Sequence, residues 1–349
     1  MKKGLFAIPV NASKKPMNEI LEEVLIQVMH AEEWGINEAF FGEHITDKHE
    51  RITSSLMMVA ALSKLTKNIK LGTLTTNLNF YKPAVISSLI SLADNICKGR
   101  LILGIGCGAA NRTDVEAIDY LDKDNHAIML ETMDIIKKTL ENSNFADINT
   151  KNFKVSTKKT GNEELGLGYF NGLFNNRKDL EIIMPALNEN SYNVKICAKN
   201  NWSIAISNFC SNKIVKNHIE NYLNFSSLKK EEALKKIRLT KLIYVHEDSG
   251  MAKKLAFSDE SPFMKVIDII FNKLKRFNKH GCFGENVNTT IEAANNVLIY
   301  GNPDEISNQI NVFKEKYGDF SSLIYVTVPK TQKIDFEKSF EYFANNVKT

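Results

Sequence analysis

A chain of 349 residues is long enough for two ordinary domains or one large α/β barrel. Hydrophobic residues make up 43% of it and charged residues 25%, which supplies a core and excludes a wholly disordered chain. The net charge of +4 comes from 45 basic and 41 acidic residues spread along the sequence, without the basic stripe that a nucleic-acid-binding surface needs.

The five cysteines, at positions 97, 107, 197, 210 and 282, are odd in number and show no CxxC spacing. Free thiols in a reducing compartment are expected. Pro9 interrupts the short apolar run of MKKGLFAIPVN, and no later segment approaches eighteen apolar residues. The reading is therefore a cytoplasmic protein with no membrane segment.

In chain order, LFAIPV (5–10) has strand length, and MNEILEEVLIQVMHAEEWG follows with Ile20, Leu21, Val24, Leu25 and Val28 on one helical face and Gly35 as its stop. NEAFFG then reads as strand, SSLMMVAALSKLT as helix, NIKLGTLTT as strand, PAVISSLISLADNIC as helix and RLILGIGCG as strand. After the helix HAIMLETMDIIKKTL, residues 141–180 are rich in Asn, Lys and Gly with little period, and read as a loop insertion over a barrel mouth. A lid is one expectation for it, because GLGYFNGLF sets glycines around aromatic contacts.

Alternation resumes with LEIIMPAL, SYNVKICAKN, WSIAIS, NKIVKNHIENYL and RLTKLIYV. The helix SPFMKVIDIIFNKLKRF follows, then a helix that Asn302, Pro303 and Glu305 open as a capping box, and SSLIYVTV closes the chain's strands. Strands apolar on both faces and alternating with amphipathic helices imply a covered parallel sheet. Eight of them, with no dinucleotide fingerprint and no linker, favour an α/β fold of the (β/α)8 TIM-barrel type, with residues 1–349 as a single domain. Function then belongs at the C-terminal ends of the strands.

His44 stands two residues past AFFG, where a barrel would place it at the mouth. It is either a proton-handling group or a loop histidine bonded to its own backbone. Glu43, His44 and His49 do not form HExxH and no matching pair recurs, so no metal site is expected. GIGCG (104–108) lacks both the third glycine of a dinucleotide fingerprint and the GK[ST] of a P-loop; it offers either close backbone approach to a flat ligand, with Cys107 beside it, or merely a tight turn. Asn188, Asn190 and Ser191 gather at a helix start, which suits a phosphate or ordinary N-capping. No GxSxG elbow supports a hydrolase.

The run GEHITDKHERITSSLMMVAALSKLTKNIKLGTLTTNLNFYKPAVISSLISLADNICKGRLILGIGCGAAN closely resembles the bacterial luciferase-like flavin monooxygenases, in particular the limonene monooxygenase-like branch. The resemblance rests on EH after the second strand, IxLGT with NL at the third, Pro83, Asp94, Lys98-Gly99-Arg100 and GIGxG. It resumes at LEIIMPALNENSYNVKICAKNNWSIAISN, at VLIYGNPDEI and at SSLIYVTV.

That resemblance implies reduced FMN, supplied by a separate flavin reductase, and O2, which together oxygenate a small, mainly apolar organic substrate through a flavin C4a-peroxy intermediate. It implies proton handling by His44 and a non-proline cis peptide at Leu74–Thr75 against the flavin ring. Thr76 and Asn77 would line the flavin, Gly106 and Cys107 would flank it, and Asn188, Asn190 and Ser191 would hold its phosphate. Dimerisation is implied through the region that includes Leu56, Met57 and Met58. The sequence departs from the family at Asn79, Cys107, Ala186 and Asn188, which weakens the phosphate assignment. Two other readings stay open: hydride transfer with the deazaflavin F420, and a non-catalytic flavin-binding subunit.

Overall fold

The computed structural model describes every residue except 8–9, 11–14, 109–110, 142–143 and 329–335, so the end of the first expected strand, Pro9 included, lies outside the described residues. Eight parallel strands alternate with helices: β1 Lys2–Ala7, β2 Glu38–Phe41, β3 Lys70–Thr73, β4 Leu101–Gly106, β5 Glu181–Ala186, β6 Ser203–Ile206, β7 Ile237–Val245 and β8 Ser322–Val326. Their order in the sheet is that of a (β/α)8 barrel. Strands such as EAFF, LILGIG and IRLTKLIYV are buried at every position, because helices cover one face and the barrel interior the other.

The chain divides into two compact units, Met1–Phe40 with Lys48–Arg51 and Ile183–Thr349, and Phe41–Asp47 with Ile52–Ile182. In the first unit, β8 pairs with β1 from Lys2↔Ser322 to Phe6↔Val326, β7 pairs with β8 from Arg238↔Ser322, and β6 pairs with β5 from Ile183↔Ser203. One further parallel strand, Leu298–Gly301, pairs with Leu242–Val245. The sequence reading passed over it, since a four-residue apolar run directly after a helix carries no period of its own. The capping box at Asn302 is present: Glu305 N–H donates to Asn302 Oδ1 at 2.9 Å, and Asn302 N–H donates to Glu305 Oε2 at 3.2 Å.

In the second unit, β3 pairs with β4 through Leu71↔Leu101 and Gly72↔Ile102. Gly104 permits this contact: a Cβ there would lie 1.8 Å from the Thr73 carbonyl oxygen. The 141–180 segment carries a hairpin, Asp147–Asn149 with Lys154–Ser156. Ala146 and Val155 bury against Ile135. Its far end is tied to helix Pro83–Ile96, where Ser91 Oγ donates to Gly172 O at 2.7 Å and Arg177 clamps Asp94 at 2.6 and 3.1 Å.

In the first unit, buried Arg238 pairs with buried Glu38 through two bonds of 2.8 and 3.0 Å, and Ser322 Oγ adds a third donor to the carboxylate. The fork geometry offsets the desolvation of both ions only while each partner is present. Arg238→Met should therefore lower unfolding free energy by about 3–5 kcal/mol, measured by urea denaturation. The double variant E38Q/R238M should recover part of that loss, because no carboxylate is then left buried and alone.

Candidate active site

Within the second unit, β2 runs out into Gly42, Glu43 and His44. The His44 amide donates to Ile52 O at 2.9 Å, which folds the intervening loop back on itself. The His44 side chain is one-fifth exposed, and its Nδ1 bonds Asp114 Oδ2 at 2.8 Å. Asp114 is fully buried on the short helix Arg112–Ala117, which Asn111 caps by accepting from Thr113 N–H. Thr46 donates to the other Asp114 oxygen from both its amide and its hydroxyl.

Burial draws the Asp114 pKa upward, but hydrogen bonds from His44 and Thr46, with the attraction of a protonated His44, outweigh it and hold the carboxyl below its ordinary value. A carboxylate on Nδ1 fixes the imidazole orientation and its tautomer, so that Nε2 is the basic nitrogen. The His44 ring is thus bonded to a residue outside its own loop.

Glu43 is buried and organises its neighbours. Its Oε1 accepts from Asn77 N–H at 2.6 Å, and its Oε2 accepts from Ser55 N–H and Oγ, both at 2.9 Å. Asn77 Nδ2 returns a bond to Glu43 O at 3.0 Å, and Ser55 Oγ lies 2.9 Å from Thr76 Oγ1. One carboxyl group thereby joins the end of β2, the start of helix Ser55–Leu65 and the segment after β3. The half-buried Tyr81 phenol is pushed up to about 12 by burial and by the neighbouring Glu43 charge.

The Leu74–Thr75 peptide is cis, and Leu74 N–H donates to Phe41 O. Thr76 and Asn77, both buried, pair with Ile105 and Gly106 at the end of β4. Thr75 Oγ1 donates to Asn77 Oδ1 at 2.8 Å, and a Cβ on Gly106 would fall 2.4 Å from that hydroxyl and 2.7 Å from the Asn77 oxygen. Only glycine leaves this surface flat. Cys107 is buried next to it. Asn79, buried beside this segment, has an Oδ1 with no hydrogen-bond partner, an acceptor suited to an imide N–H. The glycine surface and this spare acceptor both fit a flavin ring.

The structure thus brings His44, Leu74, Thr75, Thr76, Asn77, Gly106 and Cys107 into one unit. Asn188, Asn190 and Ser191 belong to the other: Asn188 and Asn190 are exposed with Glu189 between them, and Ser191 precedes helix Tyr192–Lys199 without a side-chain cap bond. Sequence reasoning missed Asp114, and weighed Glu43 as a metal ligand and as part of the EH motif without giving it a site role. The NRTD start of a short helix is the one local signal for Asp114, and nothing in it points to position 44.

The fold is a (β/α)8 barrel with Glu–His after β2, a cis peptide after β3 and glycines ending β4. A family model described as luciferase-like monooxygenase matches residues 1–159, the part that carries this site. The chain is 24% identical over 269 residues to 2,5-diketocamphane 1,2-monooxygenase 1 of Pseudomonas putida, covering 73% of this chain and 71% of that one. It is 30% identical over 138 residues to limonene 1,2-monooxygenase of Rhodococcus erythropolis, covering 39% and 35%. The solved structure of the oxygenating constituent of 3,6-diketocamphane monooxygenase from P. putida, a type II Baeyer–Villiger monooxygenase in complex with FMN, matches 99% of this chain and 98% of its own with a TM-score of 0.85 at 19% identity.

Burial raises the Glu43 carboxyl from its ordinary 4.5 to about 7, against the opposing bonds from Ser55 and Asn77 and the charge of His44. Between those values the folded chain holds a proton that the unfolded chain has lost, so this group's contribution to stability declines as pH rises from about 4.5 to 7, by about 3 kcal/mol in total. Glu43→Gln should flatten that decline, read as the difference between variant and wild-type urea midpoints across the same pH range. An unchanged slope would mean that Glu43 titrates normally.

Proposed function

We propose that the chain is a flavin-dependent monooxygenase that uses reduced FMN, delivered by a separate reductase, and O2 to oxygenate a small, mainly apolar organic molecule. The observation that carries this is the His44–Asp114 pair beside Glu43, whose carboxyl fixes the Asn77 segment in the same unit. Bound reduced FMN supplies the two electrons that split O2 between the substrate and water. Leu74, Thr75, Thr76, Asn77, Gly106 and Cys107 are assigned to the ring of the cofactor. Asn188, Asn190 and Ser191 keep the phosphate assignment on the strength of their motif.

In this reading Asp114 keeps Nδ1 of His44 protonated, and Nε2 accepts and returns the proton that oxygen transfer requires. Buried Thr76 and Leu74 exclude water from the wall that faces the cofactor, which limits wasteful release of peroxide.

His44→Ala should lower product formation by about 10²- to 10⁴-fold. It should also raise the hydrogen peroxide released per reduced FMN consumed, while FMN affinity by fluorescence quenching stays within threefold or so of wild type. Asp114→Asn, which misorients the ring, should move both quantities the same way but less far. The assay begins with 2,5-diketocamphane and limonene, the compounds in the relatives' names, and a parallel F420 titration tests the deazaflavin alternative. Equal product yields in wild type and His44→Ala would remove the assigned role.

The homodimer expectation moves to a different set of side chains. Leu56 and Met58 are buried within their own unit and only Met57 is exposed, because the first two face inward from helix Ser55–Leu65. Helix Pro83–Ile96 instead presents Val85, Leu89 and Leu92 on one stripe. This stripe is the proposed dimer face. Leu92→Glu should convert a dimer to a monomer at micromolar concentration, read by light scattering.

A further inference from the structure

In the first unit a second feature stands apart from the residues just described. After β6 the chain makes a tight turn, with Cys210 N–H bonding Ser207 O, and enters the 14-residue helix Asn212–Phe225. Ser211 is the N-cap of that helix but makes no side-chain cap bond, and its buried Oγ has no partner. Asn208, 2% exposed and in the same turn, has an Nδ2 without an acceptor. The neighbouring strand carries Lys241, 5% exposed and in no ion pair among the described residues. β7 pairs with β6 from Ile237↔Ile204 to Leu239↔Ile206, so Lys241 lies two residues beyond the level at which β6 ends, and its ammonium group acts electrostatically on Cys210.

The Asn208 amide nitrogen and the Lys241 ammonium can only donate, and the Ser211 hydroxyl can donate as well as accept. Buried donors left without acceptors are rare and costly, and an uncompensated buried ammonium more so. The Cys210 thiol does not answer the charge: burial pushes it up to about 12, and its hydrogen is directed to the Leu187 carbonyl oxygen at 3.2 Å. The helix adds the positive end of its dipole and the N–H groups of its first turn. What completes such a set is an anion with several acceptor oxygens.

We propose that Asn208, Ser211 and Lys241, at the start of helix Asn212–Phe225, form an oxyanion site that takes a phosphate or carboxylate group. Lys241 supplies the charge, Ser211 and Asn208 supply directed hydrogen bonds, and the helix N–H groups supply the rest. Burial lowers the Lys241 pKa to about 8, which leaves it a cation at neutral pH, and a bound anion would raise it again. The exposed Asn188 and Asn190, with Glu189 between them, offer no comparable set of buried donors. The oxyanion belongs either to the phosphate end of FMN, which rests on the cofactor proposed above and replaces the assignment of that phosphate to Asn188, Asn190 and Ser191, or to a separate small anion, which does not.

The test uses the full chain with inorganic phosphate, FMN and riboflavin as probes. Phosphate should raise the melting temperature of the wild type, and Lys241→Met should lower phosphate affinity about 10- to 100-fold, the value of a charge-assisted contact. Ser211→Ala should lower it by a smaller factor. Lys241→Met should melt no lower than wild type without ligand, because it removes an unpaired buried charge, so loss of the phosphate response cannot be put down to misfolding. If Ser211→Ala alone folds well, it carries the same comparison.

Tighter binding of FMN than of riboflavin, with the gap closing in Lys241→Met, assigns the site to the cofactor's phosphate. A gap that persists while phosphate stabilisation is lost assigns it to a separate anion. If wild type binds neither flavin but still binds phosphate through Lys241, the flavin reading fails and the oxyanion site stands. Absence of phosphate stabilisation in wild type, or equal stabilisation in both variants, overturns the proposal.

Discussion

Three donors from two distant segments converge on the carboxyl group of Glu43, and the candidate site takes its shape from them. The Asn77 amide, the Ser55 amide and the Ser55 hydroxyl leave Glu43 no freedom to turn, so the loop that carries His44 starts from a fixed point. Burial makes the arrangement costly to ionise, and it is the hydrogen bonds that keep the carboxyl near neutrality rather than far above it. The segment after β3 is held from the other side by the close approach of Gly106, where no side chain fits. A site built on strand ends and one buried acid is more precisely placed than one built on loops alone.

His44 and Asp114 show how the same physics produces a different outcome a few residues away. Asp114 is as buried as Glu43, yet its carboxyl stays below its ordinary value because hydrogen bonds from His44 and Thr46 favour the charged form. Two carboxyl groups in one unit are thereby driven apart in acidity, one suited to hold a proton near neutrality and the other to remain an anion that orients a histidine. That separation is the pattern expected of proton-transfer machinery.

In the first unit, charge is handled in two contrasting ways. Arg238 and Glu38 satisfy each other through a fork of two bonds, with Ser322 completing the shell. Lys241 is buried to a similar degree, and no acid pairs with it among the described residues. A closed ion pair serves the fold, whereas an open set of donors costs stability until something binds.

The sequence by itself determined the alternation of strands and helices, the eight strands of the barrel, and the family resemblance that pointed to His44, to the cis peptide after β3 and to the glycines of β4. These are local or ordered signals: apolar runs buried on both faces, caps, and motifs read in sequence. It did not carry the strand Leu298–Gly301, which exists only because Leu242–Val245 offers it an edge. Nor did it reveal the Asp114 partner of His44, 70 residues away. The inward direction of Leu56 and Met58 and the burial of Lys241 were likewise decided only by tertiary structure. Each of these depends on which surfaces the folded chain brings together and which it closes to water, and a charge or an apolar side chain has no sign or depth of burial until that is done.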